Sequence, residues 1–321
     1  MDETMTRPQG EDETQDPVVV FGPLRGGTTM IRLMLDGHEA LSVPGESDFL
    51  FDHLHEADGD WHYDKSALEA DRIYQDSDVQ VRDKLHGEAA VLDMVEQVGA
   101  TGNGRPVLML HRELEKAVSV IPNVKVIRLL RDPRDVARSA IGMGWAGNVY
   151  HGLDPWLATE QSWQAFADAH PEVPTLVIRY EDLVAEPERI LRSICDFLSI
   201  TYDRAMLAYP DNTTYAAPDP TRVFQWRHKM SEDEVALVEA RAADAWDNCG
   251  YELSGQPVRE VGAIERRWLW AQNRAAIWRG MIQKYGVVDP VLRGFGRRLG
   301  ITAIERRGAS RMDEVDRRSL K

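Results

Sequence analysis

A glycine-rich segment between a buried strand and a helix constrains this chain more than any other feature. The apolar run 18–21 predicts a strand buried on both faces, and apolar residues at helical spacing over 30–35 predict a helix. Between them lies Gly22-Pro23-Leu24-Arg25-Gly26-Gly27-Thr28-Thr29. Because backbone N–H groups converge where a helix starts after a strand, this loop predicts a phosphate or sulfate site.

The residue types of the loop suit an anion. Gly26 and Gly27 let the backbone approach it closely, Thr28 and Thr29 add hydroxyl donors, and Arg25 adds a forked cation. No lysine follows the last glycine, so the loop is not a Walker A motif. A plain glycine turn is the alternative, and the combination of arginine, glycines and threonines disfavours it.

Two further strands alternate with helices. Apolar runs at 124–130 and 175–178 predict the strands, while Asp132-Pro133 and the segment 188–198 predict a helix start and a helix. This alternation predicts an α/β fold, a P-loop-like, doubly wound parallel sheet flanked by helices. The charged, histidine-containing region 47–105 is expected to form helices and loops.

Composition excludes several classes of protein. The chain has 321 residues and a net charge of −15, which argues against a general nucleic-acid binder. No apolar run approaches the roughly 20 residues of a transmembrane helix. Residues 1–16 are acidic and lack a hydrophobic segment, which predicts a disordered leader rather than a secretory signal. Two cysteines, Cys195 and Cys249, favour a reducing, cytoplasmic location.

Charge is unevenly distributed along the chain. Residues 256–321 hold 15 basic and 7 acidic side chains, whereas residues 1–255 hold 23 basic and 46 acidic ones. We therefore expect a domain over 17–255 and a basic helical extension over 256–321.

In the extension, apolar residues recur at spacings of four and three, which predicts one helix over 262–285. They are Ile264, Trp268, Ala271, Ala275, Trp278, Ile282 and Tyr285. The seam is expected to dock on the acidic body or on a second subunit, and the second arrangement would give a homodimer through 262–285. The alternatives are a cap over the acceptor site, or contact with an acidic carrier or membrane surface.

The loop resembles the 5′-phosphosulfate loop of sulfotransferases that use 3′-phosphoadenosine 5′-phosphosulfate (PAPS), particularly tyrosylprotein-type and bacterial members. Many members read P-[RK]-S-G-T-T; this chain has Leu24 for the proline and Gly26 for the serine. Gly-Gly-Thr-Thr also occurs in heparan-type members. The resemblance implies PAPS as cosubstrate, bound by Arg25 and residues 26–29, with no metal.

A second motif resembles the pair of residues that holds the 3′-phosphate in this family. Arg131 ends the predicted strand at 124–130, and Ser139 follows eight positions later on the next helix. Independently of the resemblance, Arg131 leaves the carboxyl edge of the sheet, where open α/β folds bind ligands. The alternative is a capped helix with solvated arginines.

Two later segments complete the resemblance, which covers roughly residues 17–250. Arg179-Tyr180-Glu181-Asp182 is similar to a family segment whose tyrosine lies near the adenine, so Tyr180 is a candidate cofactor contact. The stretch 222–227 is similar to a loop that closes over the nucleotide. It makes Arg222 and Arg227 candidate phosphate ligands.

Two residues are candidates for the catalytic base. Glu46 lies 21 residues after Arg25, the spacing of the base in tyrosylprotein sulfotransferases, and an exposed loop carboxylate is the alternative. His111 lies 20 residues before Arg131, where cytosolic sulfotransferases have a Lys-Thr-His segment, but here the lysine is absent. His111 or Arg112 could instead contact the sulfuryl oxygens, or His111 could be structural. We favour Glu46.

The predicted reaction is in-line transfer of a sulfuryl group from PAPS to a hydroxyl of a small molecule, sugar or peptide. Arg25 would stabilise the transferred group and the departing phosphate. The alternatives are a P-loop-type small-molecule kinase, which would need a loop lysine and Mg²⁺, and a non-catalytic nucleotide-binding scaffold. Histidines such as His53 and His55 lack the spacing of metal ligands.

Overall fold

A parallel five-stranded sheet lies at the centre of the computed structural model, which describes residues 16–102, 104–246, 249–257, 259–301, 307, 311, 312 and 315. The strands of this sheet are β1 (Val18–Phe21), β2 (Leu41–Ser42), β5 (Arg105–Leu110), β6 (Lys125–Leu130) and β7 (Thr175–Arg179). Two further strands, β3 (Leu54–Ala57) and β4 (Asp60–Tyr63), form a separate two-stranded sheet. The order in the five-stranded sheet is β2-β5-β1-β6-β7, and all neighbours are parallel. The predicted fold class is confirmed.

Helices follow most of the strands along the chain. They are α1 (Thr28–Asp36), α2 (Phe49–Asp52), α3 (Lys65–Ala70), α4 (Arg72–Gln75), α5 (Gly87–Gly102), α6 (Leu114–Val120), α7 (Pro133–Gly142), α8 (Val149–Gly152), α9 (Asp154–Ala169), α10 (Tyr180–Ala185), α11 (Pro187–Leu198), α12 (Tyr209–Asn212), α13 (Trp226–Lys229), α14 (Glu232–Trp246), α15 (Ala263–Tyr285) and α16 (Val288–Leu299). Short 3₁₀ turns cover Arg204–Leu207 and Pro220–Arg222.

The register of the sheet brings several loops to one edge. Phe21, the last residue of β1, pairs with Leu110 of β5 and with Arg128 of β6. The neighbouring β6 and β7 end together, with Leu130 opposite Arg179. Since all these strands are parallel, the residues that follow them lie along the same carboxyl edge, where open α/β sheets bind ligands.

The sheet is buried on both faces. Successive residues of β1 alternate between two apolar layers: Val18 and Val20 pack with α1, α10 and α11, whereas Val19 and Phe21 pack with α2, α5 and α9. All four side chains of β1 are fully buried. A buried parallel strand is expected to be apolar throughout, and that pattern made β1 visible in the sequence.

The prediction of only helices and loops over 47–105 was wrong, because β3 and β4 form an antiparallel hairpin there. Asp58 and Gly59 link the strands with positive φ angles of 54° and 82°. An Asp-Gly pair with both φ angles positive matches a type I′ hairpin turn. The Asp-Gly turn signal was therefore present in the sequence. It was not recognised because the flanking strands carry charged residues and lack an apolar run.

The described chain groups into two compact units. The first unit comprises the described residues up to 136, residues 155–229 and the described part of 245–251. The second comprises 137–154, 230–244 and the described residues from 252 onward. The predicted division at 16 and 255 stays a prediction, and nearly all of the predicted leader lies outside the described residues.

No helix in the described part of the chain is long and apolar enough to span a membrane. Cys195 and Cys249 are buried and carry free thiols. Burial raises the pKa of the Cys195 thiol to about 11.

The predicted helix over 262–285 is confirmed by α15, but the predicted apolar seam is not its buried face. Ile264 is 87% exposed and Trp268 is 61% exposed, whereas Leu269 and Asn273 are buried. Asn273 Oδ1 accepts a hydrogen bond of 2.6 Å from the backbone N–H of Gly147, in the same unit. Within this unit, polar pairing with residues 147 and 148 holds α15, and docking of the tryptophan seam on another surface stays a prediction.

Candidate functional site

The loop after β1 adopts a strained course that ends at the start of α1. Arg25 and Gly27 have φ angles of 68° and 98°, and the Gly26 N–H donates to the Pro23 carbonyl at 2.7 Å. Gly27 is the N-cap and offers no side-chain acceptor to the first turn. The first backbone N–H groups of α1 thus lack a side-chain cap, as suits an anion-binding loop.

Tyr180 packs directly against the loop. A Cβ atom at Gly27 would lie 2.2 Å from Cδ2 of the Tyr180 ring, so any other residue there must displace the ring. Tyr180 follows β7 and is 9% exposed. This contact brings the glycine-rich loop together with the segment 179–182, two parts of the sequence that the family resemblance singled out.

Arg131 contacts both the glycine-rich loop and Tyr180. Its guanidinium lies 4.2 Å from the centre of the Tyr180 ring, and its Nη1 donates to the Arg25 carbonyl at 2.8 Å. Among the described residues, the buried Nε of Arg131 has no hydrogen-bond partner. A buried donor without an acceptor is costly in a folded protein, so this group fits an anionic ligand.

The two arginines make the loop electropositive. Burial and the nearby charge of Arg131 both lower the pKa of Arg25, while Tyr215 and Tyr180 act in the opposite direction. Two guanidinium groups held close together repel each other, and an anion between or beside them would relieve that repulsion.

A cleft of about 360 Å³ opens beside the loop. Its walls come from α1, the segment 44–46, α4 with the residue after it, the end of β5 with the residue that follows it, and Tyr215. The lining residues are Thr28, Thr29, Arg32, Pro44, Gly45, Glu46, Arg72, Ile73, Asp76, Met109, His111 and Tyr215. Both predicted bases, Glu46 and His111, therefore line one cleft with two threonines of the loop. A parallel β-bridge between Glu46 and Met109 fixes the backbone at Glu46.

His111 is held by a buried aspartate that the sequence analysis did not single out. Asp48 Oδ2 lies 2.8 Å from His111 Nδ1, and Asp48 Oδ1 accepts from the backbone N–H of His111 at 2.9 Å. The other ring nitrogen, Nε2, lies 3.4 Å from Thr28 Oγ1. The two side chains of the pair are 3% and 2% exposed.

Arg112 is directed elsewhere. Its Nε donates to Asp52 Oδ1 at 2.6 Å, and its side chain is 49% exposed. The hydrogen bond to Asp52 raises the pKa of Arg112. Of the two residues suggested for the missing lysine, His111 lines the cleft and Arg112 is paired with a carboxylate.

The segment 222–227 is anchored through its tryptophan. Trp226 Nε1 donates to Asp132 Oδ2 at 3.0 Å, and its backbone N–H donates to Asp135 Oδ1 at 2.8 Å. The Arg134 guanidinium stacks 3.7 Å from the ring. Asp132 also caps α7, as predicted, by accepting from the Arg134 N–H at 2.9 Å.

Beneath this anchor lies a buried acidic network. Glu181 accepts from the Asp132 N–H at 3.0 Å and from the Tyr251 hydroxyl at 2.7 Å. Burial raises the pKa of Glu181 and of Asp135. The network fixes the chain after β6 to the chain after β7, and so fixes Arg131 relative to Tyr180.

Arg222 and Arg227 remain outside this cluster of contacts. Arg222 is exposed, and its Nε lies 3.4 Å from Asp219 Oδ2. Arg227 is exposed and lies over the Phe224 ring at 4.9 Å. Ser139 lies on α7, in the part of that helix grouped with the second unit. The phosphate-binding roles of Arg222, Arg227 and Ser139 stay predictions.

Sequence reasoning missed Asp48, Arg32, Arg72 and Tyr215. Asp48 lies two residues after Glu46, so its position beside the predicted base was visible in the sequence. Its hydrogen-bond partner, His111, is 63 positions away and was not. In the described residues, no group of three or more histidine, cysteine, aspartate or glutamate side chains is placed to hold a metal ion.

Comparison with known proteins places this geometry in one family. Residues 17–204 match the model of the sulfotransferase family. Protein-tyrosine sulfotransferase A of Caenorhabditis elegans is 27% identical over 209 residues, covering 62% of this chain and 53% of the relative. The protein-tyrosine sulfotransferase of Drosophila melanogaster is 23% identical over 262 residues, covering 77% and 50%. The chain thus spans about half the length of the curated relatives it matches.

A solved structure agrees in fold. The sulfotransferase domain from the curacin biosynthetic pathway superposes with a TM-score of 0.55 at 19% identity, covering 75% of this chain and all of that one. The predicted resemblance is confirmed, although the matched curated relatives are animal proteins and the bacterial-type likeness of the loop stays a prediction. Because the family model matches more than half of the chain, the protein belongs to the sulfotransferase family.

Proposed function

We propose that the protein transfers a sulfuryl group from PAPS to an acceptor hydroxyl. The observation that carries the proposal is the buried Nε of Arg131, which lacks a partner in the described chain while the same guanidinium contacts the loop and Tyr180. The Arg131 guanidinium therefore offers a buried N–H donor beside the glycine-rich loop and against an aromatic ring. This arrangement suits a nucleotide with phosphates at both ends.

The residues divide between the ends of such a nucleotide. The backbone of Gly26 and Gly27, the hydroxyls of Thr28 and Thr29, and Arg25 suit the phosphosulfate end. Arg131 and Ser139 would hold the 3′-phosphate, Tyr180 would contact the adenine, and Arg222 would cover the phosphates. When bound, PAPS supplies an activated sulfuryl group.

The chemistry left to the protein is positioning and proton removal. Arg25 stabilises charge on the transferred group and the departing phosphate. Glu46, in the same cleft, accepts the proton of the acceptor hydroxyl. His111 is the rival base, since it lines the cleft as well. No step requires a metal ion.

Two sources inform the proposed acceptor. The matched curated relatives are named protein-tyrosine sulfotransferases, which favours a phenolic or other hydroxyl on a peptide. The open cleft of about 360 Å³ would also admit a small molecule or one sugar. We therefore propose a hydroxyl acceptor of one of these three classes.

The test is transfer of labelled sulfate from PAPS to a panel of tyrosine peptides, sugars and phenols, together with calorimetric binding of the 3′,5′-bisphosphate product. We expect micromolar binding of the bisphosphate and transfer to at least one acceptor class. Absence of both would overturn the proposal. Turnover that requires ATP and is abolished by EDTA would support the kinase alternative. Bisphosphate binding with no transfer to any acceptor would support the scaffold alternative.

A further inference from the structure

The pairing of Asp48 with His111 is more extensive than a catalytic role for His111 alone requires. Asp48 Oδ1 accepts from the backbone N–H of His111 at 2.9 Å and from that of Arg112 at 3.3 Å, and Asp48 Oδ2 lies 2.8 Å from ring Nδ1 of His111. A carboxylate that accepts from two backbone amides is fixed in place and keeps both oxygens as acceptors. Ring Nδ1 of His111 therefore carries a proton.

The other end of the ring meets the phosphosulfate loop. Nε2 of His111 lies 3.4 Å from the hydroxyl of Thr28, the first residue of α1. A hydroxyl has one donor and two acceptor sites. If Nε2 carries a proton, it donates to Thr28, and the Thr28 hydroxyl is free to donate to an anion. If Nε2 is bare, Thr28 must donate to it and turns its lone pairs towards the anion.

The surroundings of His111 are mixed in charge. Asp48 lies at one end of the ring, and Arg112, whose Nη1 lies 3.6 Å from Asp48, shares that carboxylate. The uncharged Thr159 hydroxyl of α9 donates to the His111 carbonyl at 3.2 Å. The other titratable or charged groups on the cleft walls are Glu46, Arg32, Arg72, Asp76 and Tyr215. Asp48 is thus the charged group in hydrogen-bond contact with the ring in the described chain.

We propose that Asp48, His111 and Thr28 form a hydrogen-bonded chain that makes binding of the phosphosulfate group dependent on pH. The protonated ring donates a hydrogen bond to Thr28, so Thr28 donates to the anion; the neutral ring instead accepts from Thr28, which then has no proton left to donate to the anion. Asp48 is the positioning residue, and histidine is the side chain whose charge ordinarily changes between pH 5 and 8. This inference rests on the proposed function, because the anion is the phosphosulfate of PAPS.

The sign of the effect follows from linkage. Because the bound anion favours the protonated ring, binding takes up a proton, and the affinity falls as the pH rises. A hydrogen bond between charged partners contributes enough to change the affinity by about tenfold across this range. His111→Gln keeps a polar group but cannot titrate, so it should remove this part of the pH dependence.

The experiment is calorimetric titration of the full chain with PAPS, without acceptor, from pH 5.5 to 8.5, in buffers of different ionisation enthalpy. Wild type is compared with His111→Gln, so the titration of the 3′-phosphate is common to both and cancels. We expect about tenfold tighter binding at low pH in wild type relative to the variant, with net proton uptake. Asp52→Asn, a neighbouring carboxylate that pairs with Arg112, is the matched control and should behave as wild type.

A second variant and a spectrum keep the proposal falsifiable. Asp48→Asn should weaken PAPS binding at low pH and shift the ¹⁵N resonances of His111 towards the Nε2–H tautomer. Equal pH dependence of wild type and His111→Gln, or an unchanged ¹⁵N spectrum in folded Asp48→Asn, would overturn the inference while leaving the proposed function intact. Failure of all variants and of wild type to bind PAPS would instead overturn the proposed function, and this inference with it.

Discussion

The two units of the chain differ in where they place their apolar side chains. In the first unit, two apolar layers cover both faces of the sheet, and the loop, Arg131 and Tyr180 rest on that packed base. In the second, α15 and α16 leave large side chains in solvent, including Trp268, Trp270 and Phe295. Of the large apolar side chains exposed in the described chain, all but Val177 and Tyr215 belong to the second unit.

The difference teaches where each kind of function can lie. A site that must hold atoms to within a fraction of an ångström needs a rigid base, which the buried sheet provides. Exposed apolar and basic helices are unsuited to such chemistry, but they are suited to contact with another surface. We therefore expect substitutions in the first unit and at Ser139 to affect ligand binding and transfer, and those in α15 and α16 to affect association.

The largest effect is expected from Glu46→Gln. If Glu46 is the base, kcat falls by about 10²–10⁴-fold, because the amide cannot accept the hydroxyl proton, while PAPS binding stays within a few fold. Rapid-quench measurement of sulfate transfer, with calorimetric binding as the control, checks this. A larger loss of kcat in His111→Gln than in Glu46→Gln would assign the proton transfer to His111.

Gly27→Ala compares the packing of the two units directly. Its new Cβ would clash with the Tyr180 ring in a residue whose φ is 98°, so we expect a loss of about 2–4 kcal/mol of stability and loss of PAPS binding. Gly286→Ala, in the second unit, has a φ of 77° and open space around it. It should cost about 1 kcal/mol and leave binding unchanged. Equal costs in chemical unfolding would contradict the tight loop.

Arg131→Ala and Arg222→Ala separate a buried arginine from an exposed one within the first unit. Removing the buried guanidinium takes away charged hydrogen bonds to a phosphate, so we expect bisphosphate binding to weaken about 100-fold. Arg222 is exposed and beside Asp219, and its removal should weaken binding less than about fivefold. A larger effect at Arg222 would show that the segment 222–227 carries the phosphate contact.

Glu181→Gln tests the buried network by its pH dependence. Burial raises the pKa of Glu181 above 4.5, so the folded chain binds this proton more tightly than the unfolded chain does. Its contribution to stability is therefore full at low pH and declines as the pH rises. The stability of Glu181→Gln relative to wild type should therefore rise as the pH increases above 4.5. The free energy of unfolding of both proteins is measured in urea at each pH. A difference between variant and wild type that does not change with pH would contradict this prediction.

The smallest effect on folding is expected from Trp268→Ser in the second unit. Trp268 is 61% exposed, so its loss should change stability by less than about 0.5 kcal/mol. If the predicted homodimer forms through 262–285, the variant should shift sedimentation from dimer to monomer at micromolar concentration. Identical sedimentation of wild type and variant would show that Trp268 is not part of a dimer contact.

Predictions from the sequence succeeded where local pattern and structure coincide. The apolar run of β1, the helix start at Asp132-Pro133 and the helix over 262–285 are each decided within a few residues of chain. The docking of the seam on α15 stays a prediction, because periodicity identifies a candidate apolar face but not the surface that covers it. Asn273 and Leu269 became the buried face through contact with residues 147 and 148, which the spacing along α15 does not show.

By itself, the sequence determined the fold class and the positions of the glycine-rich loop and of Arg131 directly after buried strands, because short-range patterns of burial, glycine and charge encode them. Only the tertiary structure decided that Arg131 lies against Tyr180, that Glu46 and His111 share one cleft, and that Asp48 holds the histidine ring. Asp48 and His111 are 63 residues apart along the chain and meet only where the chain after β5 reaches the segment that follows Glu46. Side chains distant in sequence are brought together by packing of the sheet edge, and no local pattern records which of them will meet.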